Sequence, residues 1–255
     1  MMRRIVGVLG GMGPLATVDF MHKVIAETSA TCDQDHIPLI VRSVPQVQDR
    51  ARAILDGSDA PLAALTAGVK MLERAGAELI VIPCSSAHMW FDRIAMATDV
   101  PLLHIGSAVR QTINRSVPLG CGKIALMATA GTIQANIYQH YLQDVCRSII
   151  IPDEATQEQI TSAILLVKGG ELEAARRHAK AAGDALISKG ASHLLLACTE
   201  LPLVATQRDL PVDLIDATKS LAHACIAFST GNQVSLDQNR AQPKAGPQCC
   251  SWSAD

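Results

Sequence analysis

Two cysteines, Cys84 and Cys198, occupy the same local setting at two places in the chain. Each follows a short apolar run, and each is followed by a hydroxyl residue, Ser85 in the first case and Thr199 in the second. A thiolate is a base that can remove a proton, and a thiol on the opposite side can supply one. Inversion at a carbon centre requires such a pair acting on opposite faces. The pattern therefore predicts two-base proton transfer at one substrate carbon.

The two cysteines lie in stretches that align without a gap. Residues 76–85 read GAELIVIPCS, and residues 190–199 read GASHLLLACT. Weaker echoes in the same chain order pair residues 7–13 with 125–131 and residues 105–108 with 215–218. A single buried cysteine is usually an inert small hydrophobe, but duplication makes that interpretation a poor one here. Two equivalent units facing each other place equivalent strand ends across a cleft, which is the predicted site.

The residues after the cysteines predict how the thiols are tuned. Ser85-Ser86 and Thr199-Glu200 suit the N-cap and first turn of a helix. A helix N-terminus favours negative charge, so both thiols are predicted to have a lowered pKa and to act as bases near neutral pH. Glu200 is the expected tuning partner of Cys198, either by accepting a hydrogen bond or by joining the proton balance.

Short apolar runs alternate with longer helical patterns, which predicts an α/β chain. The predicted strands are 5–9, 39–41, 79–82, 102–105, 124–127, 149–151, 194–197 and 214–215. The predicted helices are 15–28, 60–75, 107–114, 134–145, 156–167, 172–188 and 218–228. The strands read as continuous apolar runs because both of their faces are buried, so parallel sheets are expected.

Two pseudo-symmetric open parallel-sheet lobes, with the active site in the cleft between them, follow from this pattern. The first lobe is predicted over 1–116, joined by a returning helix at 217–229, and the second over 117–216, with the crossover near 116–123. From about residue 231 to 255 the apolar pattern gives way to Gln, Asn, Pro, Gly and Ser, which predicts a mobile tail. Cys249 and Cys250 fall in it and are read as an incidental thiol pair.

Composition excludes several classes of function. The formal net charge is −2 and aromatic residues make up 3% of the chain, so neither electrostatic binding of nucleic acid nor base stacking is expected. The longest apolar runs are strand-sized, which predicts no membrane span, and the N-terminus lacks a signal cleavage pattern. Eight scattered cysteines in a chain with an ample core predict free thiols, and the protein is expected to be cytoplasmic.

Three motifs resemble the aspartate/glutamate racemase family. They are GGMGP at 10–14 with Ala16-Thr17, PCSSAH at 83–88 and ACTELPL at 197–203, within a resemblance that covers about residues 4–228. The resemblance implies a two-lobe α/β fold and racemisation of an acidic amino acid, aspartate before glutamate. It also implies two-base catalysis by Cys84 and Cys198 without PLP or a metal ion, and commonly a homodimer.

The resemblance also assigns residues around the substrate. Arg50 and Lys168 fall at positions that hold carboxylates in the family, although by themselves they read as a loop charge and a solvated helix-end residue. The remaining substrate-site residues are Met12, Thr17, Ser85, Ser86, Thr132, Thr199 and Glu200. Backbone N–H groups of the 10–14 turn, with Thr17, are expected to cradle a substrate carboxylate, the alternative being a turn that only needs its glycines.

The chain departs from the family at two places. Ser85 stands where the family usually has Asn, and residues 44–50 differ from the common pattern before the arginine. A serine has a shorter reach than asparagine and one donor proton. Substrate preference is therefore less closely defined by the resemblance than the mechanism is.

Other functions stay open at this point. A dinucleotide site is disfavoured because the glycine spacing does not fit G-x-G-x-x-G. A metal site at Cys84, His88 and Cys198 would lack a fourth ligand and would consume the thiols. The nearest alternatives are a maleate isomerase, a hydantoin racemase or an arylmalonate decarboxylase of the same superfamily. A non-catalytic amino-acid-binding protein is the alternative outside enzymes.

Overall fold

Eight parallel strands form two four-stranded sheets in the computed structural model, which describes residues 3–116 and 121–232. The strands are β1 Val6–Gly10, β2 Leu39–Ser43, β3 Leu79–Val81, β4 Leu102–Leu103, β5 Cys121–Met127, β6 Cys146–Ile150, β7 His193–Leu196 and β8 Asp213–Asp216. Their order is β2-β1-β3-β4 in the first sheet and β6-β5-β7-β8 in the second. The two sheets share one topology, and the predicted α/β fold with two parallel sheets is confirmed.

Ten α-helices connect the strands in the described residues. They are α1 Pro14–Glu27, α2 Arg50–Leu55, α3 Leu62–Arg74, α4 Phe91–Ala95, α5 Ile105–Ser116, α6 Ala130–Gln134, α7 Gln139–Leu142, α8 Glu154–Gly169, α9 Leu172–Ser188 and α10 Ala217–Ser229. Local sequence explains several ends: Pro14 opens α1, the Asp153 carboxylate caps α8, and Gly170 with φ of 84° ends it. None of the described helices is long and apolar enough to traverse a lipid bilayer.

Both faces of each sheet are buried. Val8 pairs with Val41 and Val81 in the first sheet, and successive residues of these strands alternate between a central core and an outer core. Ile124 and Leu126 of β5 face the same central core from the second sheet, whereas Ala125 and Met127 face α8 and α9. This double burial explains why the strands read as continuous apolar runs.

The last helix returns to the first lobe. Helix α10 packs against α1 and α5 and also reaches β3 and β8, so it lies between the two sheets. At its end the Ser229 carbonyl accepts a hydrogen bond from the Arg4 backbone N–H, 3.2 Å away, and the Arg4 guanidinium lies 3.8 Å from the Phe228 ring centroid. The two ends of the described chain are thereby tied together at the start of β1.

The structure corrects two helix predictions. Of the helix expected over 134–145 only α7 forms, because Asn136 adopts φ of 53° and interrupts the helical backbone, and the unpredicted helix α6 ends at Gln134 before it. Helices α2 and α4 were not predicted, since the segments that form them are too short to show a helical period. Residues 117–120 of the predicted crossover, and all of the predicted tail beyond residue 232, including Cys249 and Cys250, lie outside the described residues.

Candidate active site

Cys84 and Cys198 line one cavity between the two lobes. Cys84 follows β3 and Cys198 follows β7, so the repeat brings the ends of equivalent strands to the same place. The cavity measures about 20 Å³, enough for about one water molecule. Its lining consists of Met12, Asp49, Arg50, Ala51, Cys84, Ser85, Ser86, Thr129, Lys168, Cys198, Thr199 and Glu200.

A close approach of two helices forms one wall of this cavity. Helix α2 of the first lobe packs against α6 of the second. At this contact Gly131 allows the backbones to meet, because a Cβ there would lie 2.7 Å from the Ala51 carbonyl oxygen. Arg50 on α2 and Thr129, which caps α6, are thereby placed on the cavity.

Arg50 places a buried cation beside Cys84. Its guanidinium donates to the carbonyl oxygens of Met12, Val47 and Gln48 at 3.0 to 3.1 Å. Burial lowers the pKa of Arg50, but attraction and hydrogen bonding to Cys84, with further attraction to Asp49 and Glu200, outweigh burial and raise the pKa. Arg50 is only 9% exposed, so the interpretation as a solvated loop charge is wrong.

Cys198 lies beside a carboxylate, whereas Cys84 lies beside a cation. Cys198 Sγ donates to Glu200 Oε2 at 3.0 Å, and Thr199 Oγ1 donates to the same oxygen at 3.3 Å. Burial raises the pKa of Cys198 well above its usual value, and the negative charge of Glu200 raises it further, while Lys168 acts weakly in the other direction. The prediction that both thiols have a lowered pKa is therefore wrong for Cys198.

The local backbone explains that error. Cys198 does not open a helix, because Glu200 precedes a single 3₁₀ turn over Leu201–Leu203. Cys84 precedes a 3₁₀ helix over Ser85–Trp90, and no side chain caps it. Helix dipoles at such short elements are small, so at Cys198 burial and the charge of Glu200 determine the direction of the pKa shift.

Hydroxyl groups join the lobes beside Cys84. Ser85 Oγ lies 2.7 Å from the hydroxyl of Tyr138, and Ser86 Oγ lies 2.8 Å from Thr132 Oγ1 and 3.2 Å from Thr129 Oγ1. Thr132 is behind the cavity lining, whereas Thr129 lies on it. The hydroxyl of Thr132 therefore holds Ser86 in place, and the predicted contact between Thr132 and the cavity is absent from the described lining.

The glycine turn does not present Thr17 to the cavity either. Thr17 Oγ1 donates to the Gly13 carbonyl at 2.9 Å and accepts from the Gly11 N–H at 2.8 Å, so its hydroxyl is used within the turn. The Gly13 N–H donates to Glu200 Oε1 at 3.2 Å. The turn thus does hold a carboxylate, as expected of such N–H groups, but that carboxylate belongs to Glu200 of the other lobe.

His88 supports Cys84 through the backbone. The Ile105 N–H donates to Nε2 at 3.2 Å, so the ring proton is on Nδ1, which donates to the Cys84 carbonyl at 3.0 Å. Burial lowers the pKa of His88 to about 4, which keeps the ring neutral. Both nitrogens are engaged, so His88 is not available as a metal ligand. No cluster of three potential metal ligands occurs in the described part of the chain.

Nine of the eleven residues predicted for the site line the cavity, with Thr17 and Thr132 as the exceptions. Lys168, in the last turn of α8, is exposed and contributes a cation at the rim. Sequence reasoning missed Asp49, Ala51 and Thr129. The signal for Thr129 was its place after β5, equivalent to Gly11 after β1 in the weaker echo of the repeat, whereas Asp49 and Ala51 are placed by the unpredicted helix α2.

Comparison with known proteins agrees with this architecture. The chain matches the Asp/Glu/Hydantoin racemase family over residues 9–225. It is 32% identical over 232 residues to the broad specificity amino-acid racemase RacX of Bacillus subtilis, which covers 88% of this chain and 96% of the relative.

Solved structures give the same result. The aspartate racemase of Picrophilus torridus superposes with a TM-score of 0.78 at 29% identity, covering 91% of this chain and 96% of that one. An aspartate racemase homologue from Pyrococcus horikoshii gives a TM-score of 0.69 at 25% identity, covering 90% of this chain and all of that one. The chain therefore belongs to the Asp/Glu/hydantoin racemase family, whose racemases are isomerases.

Proposed function

We propose that this protein racemises a free amino acid, aspartate before glutamate, by two-base proton transfer between Cys84 and Cys198. The observation that carries the proposal is that two thiols, each from the equivalent strand end of a repeated lobe, line one cavity. In one direction the Cys84 thiolate takes the α-proton and forms S–H. The Cys198 thiol gives its proton to the opposite face of the same carbon, which inverts the centre.

The charges around the two sulfurs support this assignment of roles. Arg50 attracts negative charge at Cys84, and Glu200 together with burial holds the proton on Cys198. The free protein is thus prepared for the enantiomer whose α-proton points at Cys84. The other enantiomer requires the reverse protonation state, in which Cys198 is the base.

The carbanion formed at the α-carbon needs electrostatic stabilisation through its carboxylate. Lys168 supplies a cation at the cavity rim, and the hydroxyl group of Ser85 supplies a neutral donor, whereas the proton of the Thr199 hydroxyl is already donated to Glu200. Three of the five N–H donors of Arg50 are used by backbone carbonyls, its buried Nε has no partner among the described residues, and its charge attracts Cys84, so we propose that it acts on Cys84 more than on the substrate. This differs from the carboxylate anchor that the resemblance implies for Arg50.

The preference for aspartate depends on chemistry and on similarity. A cationic rim suits an acidic amino acid, and the solved relative from Picrophilus torridus is an aspartate racemase. The relative from Bacillus subtilis is of broad specificity, so other amino acids belong in the test.

Proton NMR in D₂O tests the proposal directly. Purified protein is incubated with L-aspartate, without added PLP or metal and with a chelator, and loss of the α-proton signal is followed alongside chiral chromatography. Deuterium incorporation together with D-aspartate is the expected result. Cys32→Ala is the matched control, because Cys32 is an exposed free thiol that does not line the cavity. Absence of exchange with aspartate, glutamate and a panel of the other amino acids contradicts the proposal.

A further inference from the structure

Tyr138 is a buried residue that the two-base mechanism does not use. It lies between α6 and α7 of the second lobe, it has no solvent exposure, and its ring belongs to the central core. Burying a phenol is costly unless its hydroxyl is hydrogen-bonded. The partner is Ser85 Oγ of the first lobe, 2.7 Å away. This bond therefore crosses between the lobes.

The direction of this hydrogen bond decides what Ser85 can do. The two hydroxyl groups carry two protons, and the bond between them uses one. A phenol is the stronger acid and the better donor, so the favoured arrangement has Tyr138 donating and Ser85 accepting. Ser85 makes no second side-chain hydrogen bond among the described residues, and it lines the cavity, whereas Tyr138 does not. The proton left over on Ser85 is thus the one that faces the cavity.

The geometry points to Tyr138 as a positioning residue that fixes the Ser85 hydroxyl as a donor to a carboxylate oxygen of the substrate. This inference rests on the proposed function and adds a residue behind the cavity wall to it. Tyr138 touches no substrate and acts through Ser85. Because the bond joins the two lobes, the contact between them orients the donor.

The electrostatics of the cavity favour a neutral donor that never ionises. Burial raises the pKa of Tyr138, and the thiols of Cys198 and Cys84 raise it further, so the phenol keeps its proton at every working pH. The cavity already holds the Glu200 carboxylate and two sulfurs. A hydroxyl fixed in the donating orientation binds a substrate carboxylate there without adding a charge that would disturb the thiols.

A double-mutant cycle on Tyr138→Phe and Ser85→Ala separates this role from simple packing. Steady-state constants are measured in both directions with the amino acid that exchanges fastest in the wild type, and its dissociation constant is measured by calorimetry. Each single variant is expected to weaken binding and raise KM about 5- to 10-fold, with a smaller change in kcat. The double variant is expected to match the single variants, because Tyr138 acts through Ser85.

Stability gives a second readout. Ser85→Ala leaves a buried phenol without its partner and should lower the melting temperature, whereas the double variant, which lacks both hydroxyl groups, should recover much of the loss. Tyr141→Phe, on α7, is the control that removes a phenol hydroxyl outside the cavity lining. It is expected to leave binding and KM unchanged.

Three results overturn the inference. If Tyr138→Phe weakens binding as much in the Ser85→Ala background as in the wild type, Tyr138 acts independently of Ser85. If Tyr138→Phe changes neither the dissociation constant nor KM, the hydroxyl has no positioning role while the racemase activity stands. If the wild-type protein neither exchanges α-protons nor binds any amino acid, the proposed function fails and this inference fails with it.

Discussion

The two lobes deliver their cysteines in the same way but surround them differently. Cys84 sits beside the Arg50 cation and is held through its carbonyl by His88. Cys198 sits beside the Glu200 carboxylate and donates a hydrogen bond to it from its thiol. When the offset of the repeat is continued past residues 85 and 199, the residue equivalent to Glu200 is Ser86, and the one equivalent to His88 is Pro202.

This difference teaches which part of the chemistry the duplication supplied. The repeated strands set the positions of both sulfurs, whereas residues that are not repeated set the charge at each one. A pair of identical surroundings would give two thiols of equal acidity, and an enzyme needs one of the pair ionised and the other protonated. Under the proposed two-base mechanism the asymmetry is what prepares the two thiols for their different roles, and each of its components can be removed separately.

The largest expected effect follows loss of either sulfur. Cys84→Ser and Cys198→Ser should each reduce racemisation about 10³-fold or more, because a serine hydroxyl is too weak an acid to replace the thiol in proton transfer. Chiral chromatography with L- and D-substrate measures this. A variant of either position that retains near wild-type turnover would contradict the two-base mechanism.

Removal of the Arg50 cation should mainly affect Cys84. Arg50→Met is expected to slow alkylation of Cys84 by iodoacetamide at neutral pH and to reduce turnover about 10²-fold, because the thiolate loses its buried counter-charge. Alkylation of each cysteine is followed by peptide mass spectrometry, with Arg52→Met, whose side chain is exposed, as the control. Equal slowing at Cys198 would show a general structural defect instead.

Removal of the Glu200 carboxylate should mainly affect Cys198. Glu200→Gln takes away the charge that, after burial, raises the pKa of Cys198, so that pKa should fall. Rising pH then ionises Cys198 earlier, and the alkaline limb of the pH–rate profile should move to lower pH, with turnover at neutral pH reduced about tenfold. An alkaline limb that stays in place would mean that Glu200 does not control this proton.

The smallest effect at neutral pH is expected for substitution of His88, the residue whose ring contacts the Cys84 carbonyl. In the folded protein the pKa of His88 is lowered to about 4, against about 6.5 when unfolded, so the neutral ring stabilises the fold above pH 6.5 by about 3 kcal/mol. That contribution is lost as the pH falls from 6.5 towards 4. His88→Asn keeps a donor for the Cys84 carbonyl but does not titrate.

Urea unfolding at pH 7.5 and pH 5 checks this. The variant should lose less stability on acidification than the wild type, and the exposed His22→Asn should behave as the wild type does. We expect His104, which is also buried with a lowered pKa, to contribute to the pH dependence of stability that remains in the variant. Unchanged pH dependence in His88→Asn would show that His88 is not the titrating group.

The fold was readable from the sequence because burial on both faces leaves continuous apolar runs such as Leu79–Val81. The cysteine pair was readable because it is duplicated. The partner of Cys198 was also readable, since Glu200 was expected to accept a hydrogen bond from it and does so. The burial of Arg50 by carbonyls of Met12, Val47 and Gln48, and the hydrogen bond from the Gly13 N–H of the other lobe to Glu200, were not readable. Contacts of this kind depend on the folded arrangement and leave no period or spacing in the chain.

The hydroxyl partners show the same limit. Thr17 and Thr132 have the right residue type beside the right motifs, yet their hydroxyl groups are used inside the turn and behind Ser86. A residue type gives the capacity to donate a proton, but only the backbone direction decides where the proton points. Tyr138, which lies far from any of the motifs in the sequence, is placed against Ser85 by the approach of the two lobes.

Helix α10 also determines the order in which the protein can be completed on the ribosome. Its contacts with α1 and α5 mean that the first lobe is interrupted in sequence by the whole of the second. During synthesis the apolar faces that α10 covers stay open until residues 217–229 emerge, while the second lobe can fold earlier as a continuous unit. A nascent chain that stalls between the lobes would therefore present a half-covered sheet layer to chaperones and would hold no cavity at all.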